Sequence, residues 1–205
     1  MAEQREEDEV VPDFKVSDSS SKKVDEILKL DQNDKSLNEW KAKLLGEAVN
    51  EDISPKDDPR RVVIKELRIH IEGRPDVVYT LETKEQVEKL KDTPFTLKEG
   101  CHYKTSIKFK VQHELVTGLK HVNTVYKKII KVGKQETMIG SFPPRKEPHE
   151  VTIPRREWEE APKGMMARGK YKANSKFVDD DGQTHLEYDY SFAIAKDWGE
   201  AVQDE

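Results

Sequence analysis

The chain of 205 residues contains a single cysteine, Cys101, so no disulfide can form within it and no cysteine cluster can hold zinc. That usage suits a reducing compartment. No apolar run approaches the ~20 residues that a membrane-spanning helix needs. No signal-peptide pattern opens the chain, and the ending Ala-Val-Gln-Asp-Glu205 carries no lipidation box. A basic excess is missing too: the net charge of −5 and the pI near 5.8 speak against a non-specific nucleic-acid binder. The apolar set (AVILMFWYC) is only 34% of the chain against 38% charged residues, too little for every residue to join a packed core, so a disordered segment is expected. Together these absences predict a soluble, cytoplasmic protein with no nucleic-acid partner.

Signatures of catalysis are missing as well. The six histidines include no H-E-x-x-H pair. Gly164-Met-Met-Ala-Arg-Gly169-Lys170 satisfies G-x-x-x-x-G-K, but Tyr171 stands where a phosphate-binding loop needs the hydroxyl that holds Mg²⁺. The context fails too, since Trp158-Glu159-Glu160-Ala161-Pro162 is no buried strand and Tyr171–Phe177 has a strand's pattern rather than a helix's. Asp179-Asp-Asp-Gly182 resembles a calcium loop only superficially: counted from Asp179, the fifth place is Gln183 and the twelfth is Tyr190, where an EF-hand loop needs Glu. There is no G-x-S-x-G. Cys101 and His102 are adjacent, and neighbours on a strand point to opposite faces. The expectation is a non-enzyme with no catalytic residues, no metal and no cofactor.

What is present divides into four segments. Residues 1–21 are read as a disordered tail; the first twenty hold seven acidic and two basic residues. Such a tail either favours a basic partner surface or merely solubilises. Residues 22–46 carry Val24, Ile27 and Leu28, then Leu37, Trp40, Leu44 and Leu45, at helical spacing around the polar turn Asp31-Gln-Asn-Asp34. Asn33 or Asp34 caps the second helix, or Ser36 with Glu39 forms a capping box, and Gly46 suits its end. Each helix is shorter than the ~12–15 residues at which isolated helices become marginal, so this flexible arm needs a surface, its own domain or a partner, on which to fold. Trp40 is the kind of anchor that interfaces favour. Residues 47–60 form a charged linker with Pro55 and Pro59.

From residue 61 to 200 the period changes to two. Leu67, Ile69 and Ile71 alternate with Arg68, His70 and Glu72; Val77, Tyr79 and Leu81 follow the Gly73-Arg-Pro75 turn; Tyr103 to Val111 alternates most clearly. Leu119–Tyr126, Gln135–Ser141, Gly169–Phe177 and Leu186–Ile194 are further strands, and Thr83–Lys91 is a short helix. Glu159–Asp181 is read as turn, strand, turn. About eight strands without long helices predict an all-β sandwich, immunoglobulin-like in architecture, with the helical arm at its N-terminal side.

Several motifs stand together in this order: Leu30-Asp-Gln-Asn-Asp34-Lys-Ser36-Leu37, Lys43-Leu44-Leu45-Gly46, Phe95-Thr-Leu97-Lys-Glu-Gly100, Ser106-Ile-Lys-Phe109, Glu159-Glu-Ala-Pro-Lys-Gly-Met-Met-Ala-Arg-Gly169, Phe177-Val-Asp-Asp-Asp181 and Lys196-Asp197-Trp198. In order and spacing they resemble the Rho GDP-dissociation inhibitor family over residues 22–198. The resemblance implies a non-catalytic regulator. Its partners would be prenylated Rho, Rac and Cdc42-type small GTPases in the GDP form, held as a 1:1 complex by a monomer. The GTPase's geranylgeranyl group would lie between the sheets, and membrane would be met only transiently, during extraction. Motif match implies GTPase contacts from Asp34, Leu37, Trp40, Asp180 and Asp181, and prenyl contacts from Ile69, Phe95, Leu115, Met166, Ala173 and Tyr188. Asp34 also fits a helix cap, and the apolar positions also fit plain core. Tyr188 and Tyr190 depart from the Trp of many members, Ala173 from a larger aliphatic residue, and Gly133 from an acid common in the animal members.

Overall fold

A computed structural model describes residues 34–36, 38–39 and 54–199. Among these residues, ten strands form two sheets that enclose one core. The first sheet has the order β2-β1-β4-β7, from Val77–Thr80 (β2), Val62–Ile71 (β1), His102–Val111 (β4) and His149–Ile153 (β7); the two-residue β8, Glu159–Glu160, also pairs with β4. The second has the order β3-β10-β9-β5-β6, from Phe95–Lys98 (β3), Thr184–Ala195 (β10), Gly169–Val178 (β9), Val116–Lys127 (β5) and Ile130–Phe142 (β6). This is the all-β sandwich expected from the period-two pattern.

Alternation explains which side chains reach the core. Leu67, Ile69 and Ile71 of β1 are buried between half-exposed Arg68 and His70, and Ile107, Phe109 and Val111 of β4 are buried between lysines. Phe177 from β9, Leu119 from β5 and Ile139 from β6 meet them from the other sheet. Phe109 is locked edge-on against Phe142 at 5.0 Å and stacked on His149 at 5.4 Å.

Three strands add to the seven placed by their alternation. β3 and β8 are too short to show a period, and β7 lies in a five-residue run between Pro148 and Pro154. β3 is held by parallel pairing to β10, Phe95 opposite Phe192, a partner almost a hundred residues away. The expected helix is Lys84–Lys89 (α1), shorter than Thr83–Lys91, and its start is fixed by a reciprocal capping box between Thr83 and Gln86.

The second half of the linker is part of the folded unit. The His113 N–H donates to Ser54 Oγ at 2.6 Å, His113 Nε2 meets the Asp58 carbonyl at 2.6 Å, and Gln112 Nε2 donates to the Arg60 carbonyl at 2.9 Å. These bonds clamp residues 54–60 onto the β4–β5 turn.

Candidate functional site: a cleft between the sheets

A cavity of about 90 Å³ lies between the two sheets. β1 contributes Leu67 and Ile69, β4 contributes Tyr103 and Thr105, and β10 faces them with Tyr188, Tyr190 and Phe192. The last three are two residues apart, so the strand's own period puts them on one face. Phe95 of β3 completes an aromatic wall, stacked on Phe192 at 5.6 Å and on Tyr190 at 6.2 Å between ring centroids.

Polar groups interrupt this lining. His121 Nε2 and Ser175 Oγ are 2.6 Å apart, and His121 stacks on Phe177 at 4.9 Å. Burial pushes the His121 imidazole down to about 4, so it is neutral at pH 7. Asn123 Nδ2 donates to Tyr190 Oη at 3.1 Å, and burial raises the Tyr190 phenol to about 12 although that hydrogen bond opposes the shift. The Tyr188 hydroxyl is buried and makes no hydrogen bond of normal geometry; its cross-strand neighbour Ser175, near enough to oppose slightly the rise that burial gives the Tyr188 pKa, is committed to His121. At the rim, Gln135 of β6 donates to Glu159 of β8 at 3.1 Å, joining the two sheets.

A second feature is the acidic turn between β9 and β10. Asp179 is buried; it accepts from the Gln183 N–H at 2.9 Å and meets His185 Nε2 at 2.9 Å. Burial lowers the His185 pKa, and the Asp179 carboxylate opposes this. Arg61 lies 3.6 Å from Asp179, 3.7 Å from Asp181 and 3.6 Å from Glu114. With its root so held, the turn displays Asp180 and Asp181 on the surface. Gly118 of β5 has φ +56°, and a Cβ there would fall about 2 Å from the Asp180 carboxyl. Only glycine admits that close approach.

The residues expected at the site fall into distinct places. Ile69, Phe95 and Tyr188 share the cavity wall. Ala173 is buried in β9, opposite Tyr190 on one side and Val125 on the other. Leu115 sits on the β4–β5 turn, where its carbonyl faces Arg61 at 3.5 Å; it is thus at the opposite end of β1 from Ile69, on the order of 25 Å along the strand. Met166 projects from a 3-10 turn, Met165–Ala167, with its surface 92% exposed. The turn leads into β9 rather than into a helix, so the phosphate-loop context is absent there as expected. Asp34 is exposed, and its carbonyl accepts the Asn38 N–H at 2.9 Å in a helical segment. Leu37 and Trp40 lie outside the described residues.

Sequence reasoning missed His121, Ser175, Phe192 and Arg61. Phe192 was within reach, because Tyr188-x-Tyr190-x-Phe192 continues one face of a strand already recognised. The His121–Ser175 pair was not, since 54 positions separate the two and only the β5–β9 pairing joins them. No group of three or more His, Cys, Asp or Glu among the described residues is arranged to hold a metal ion. No helix among them is long and apolar enough to cross a membrane.

Comparison with known proteins places the chain in a family. The family described as RHO protein GDP dissociation inhibitor matches residues 1–197. The chain is 48% identical over 198 residues to a Dictyostelium discoideum protein that carries the rho GDP-dissociation inhibitor 1 name, covering 97% of this chain and 98% of that one. It is 43% identical to the Rho GDP-dissociation inhibitor of Schizosaccharomyces pombe, over 89% of this chain and 87% of that one. It is 37% identical to the Homo sapiens Rho GDP-dissociation inhibitor 1, over 97% and 93%. These are regulatory inhibitors rather than enzymes. A sandwich with a cleft between its sheets, an acidic turn on its surface and matches of this length lead to one assignment: the chain belongs to the Rho GDP-dissociation inhibitor family.

Proposed function

We propose that the chain binds Rho-, Rac- and Cdc42-type small GTPases in the GDP form, slows their GDP release and carries them from membranes into the cytosol as a 1:1 complex. The geranylgeranyl group enters the cleft between the sheets. The observation that carries this reading is the aromatic and aliphatic wall of Ile69, Phe95, Tyr188, Tyr190 and Phe192 around a cavity that already exists between the sheets. Ligand pockets hold roughly 300–1,000 Å³, so a cavity of about 90 Å³ must widen by separation of the sheets before a lipid chain fits. Leu115 and Met166 lie apart from this wall.

The energetics are those of exchange. Each buried CH₂ anchors a lipid chain by ~0.8 kcal/mol, and a single chain holds a protein to a bilayer only marginally. A protein cleft offers a similar value per carbon, ~25 cal/mol per Å². Membrane and cleft are near balance, and contacts with the GTPase body tip it. Asp34, Leu37 and Trp40 supply these by folding the arm on the GTPase switch regions, with Asp34 accepting a hydrogen bond there. Asp180 and Asp181 meet a basic residue of the GTPase. Holding the switches retains the nucleotide.

Labelled GDP release tests the reading. The chain should slow release from a geranylgeranylated, GDP-loaded Rac-type GTPase, and an unprenylated one should need ~10-fold more chain or beyond for equal slowing. Equal potency on both forms would remove the cleft from the account.

A further inference from the structure

The β5–β6 hairpin ends in an apolar point set among lysines. Ile129 is 94% exposed and Ile130 67%, unusual for a residue type that is among the most often buried. Residues 126–134 hold Lys127, Lys128, Lys131 and Lys134 and no acid. The first acid beyond, Glu136, is paired with Lys134 at 2.5 Å. The tip is a two-residue turn: Lys127 pairs with Ile130, and Lys128 takes φ +55° between them. A second exposed apolar pair stands beside it, Met165 and Met166. Lys127 Nζ donates to the carbonyls of Met166 and Arg168, which ties that turn to the base of the hairpin. The excess of acid over base within residues 1–20 equals the whole chain's net charge of −5. The rest of the chain is therefore balanced, and with Lys134 offset by Glu136, Lys127, Lys128 and Lys131 make the tip a local positive spot.

We propose that this tip, with Met165 and Met166 beside it, docks the protein on the headgroup region of an anionic lipid bilayer. The isoleucines enter the acyl boundary while the lysines meet lipid phosphates and carboxylates, the division of labour of interfacial segments. The shape favours a bilayer over an acidic protein. Protein interfaces of specific complexes bury about 800 Å² per partner around packed pockets, whereas these side chains project from a convex two-residue turn. The hairpin also carries Val125 and Gln135 at the cavity. Docking would bring the cleft to the membrane, and this orienting role alone rests on the proposed cargo.

The test uses the full chain without any GTPase, so its failure leaves the cargo reading intact. The chain is sedimented with phosphatidylcholine vesicles and with phosphatidylcholine–phosphatidylserine vesicles, at low and high salt. It should partition onto the anionic vesicles at low salt only. Lys128→Ala and Lys131→Ala should each weaken partitioning about fivefold. Ile129→Ser with Ile130→Ser should weaken it about tenfold or more at unchanged melting temperature. Binding to neither vesicle, equal binding to both, or indifference to either set of substitutions would overturn the proposal.

Discussion

Tyr188 holds a buried hydroxyl without a hydrogen bond in a cleft otherwise walled by rings. An unsatisfied buried polar group costs ~1–3 kcal/mol. Tyr188→Phe should therefore raise stability by about 1 kcal/mol in urea unfolding, while Tyr188→Ala, which removes the ring, should lower it by about 3 kcal/mol or more. A destabilised Phe variant would mean that the hydroxyl is satisfied in the folded protein. His121 makes a pH prediction. Its folded pKa of about 4 lies below the ~6.5 of an unfolded histidine, so the unfolded chain takes up a proton that the folded one refuses. The stability is fully present above ~6.5 and falls as pH drops towards 4, by roughly 3 kcal/mol for the whole shift. His149 and His185, also lowered by burial, add to the slope. Thermal melts from neutral to mildly acid pH should show the loss, and His121→Gln should flatten it. An unchanged slope in that variant would assign the loss elsewhere.

Among the elements, the acidic turn and the arm are the parts assigned to the GTPase body. Gly118→Ala would drive a methyl group into the Asp180 carboxyl and strain a positive φ. It should displace the Asp180 side chain, weakening complex formation, with a stability loss of about 1–3 kcal/mol from the strained φ; unaltered binding would show that Asp180 needs no fixed position. Deleting residues 1–50 spares Ser54 and its bond to His113, so the sandwich should keep its melting temperature and lose its effect on GDP release. A deletion product with full inhibition would remove the arm from the mechanism. The strands that carry the cleft differ in how far the sequence revealed them. β1, β4 and β10 carry alternating runs of five to nine residues, Leu67–Ile71, Tyr103–Val111 and Leu186–Ile194, which fix their faces before any pairing is known. β3 is four residues long and owes its place to β10, so only tertiary pairing defines it. The same limit hid the polar floor of the cleft. His121 and Ser175 look like ordinary strand residues until β5 and β9 are side by side. Met166 stood in a recognisable motif, but nothing local told that a 3-10 turn would face it outward.

As a whole molecule, the described part of the protein is a sandwich with a cleft too small, at about 90 Å³, for its proposed cargo. Gln135–Glu159 bridges the sheets at the rim, and hydroxyl, amide and imidazole groups stand among the apolar side chains of the interior near it. In the proposed reading, a lipid chain that enters the cleft replaces the contacts that opening removes. The most direct measurement places a geranylgeranylated, GDP-loaded Rac or Rho protein on liposomes and sediments them with and without this chain. The account predicts that the prenylated GTPase moves to the supernatant in proportion to added chain, and that an Ile69→Asp variant, which puts a charge in the cleft wall, leaves it in the pellet. A GTPase that stays on the liposomes with the unsubstituted chain would contradict the account.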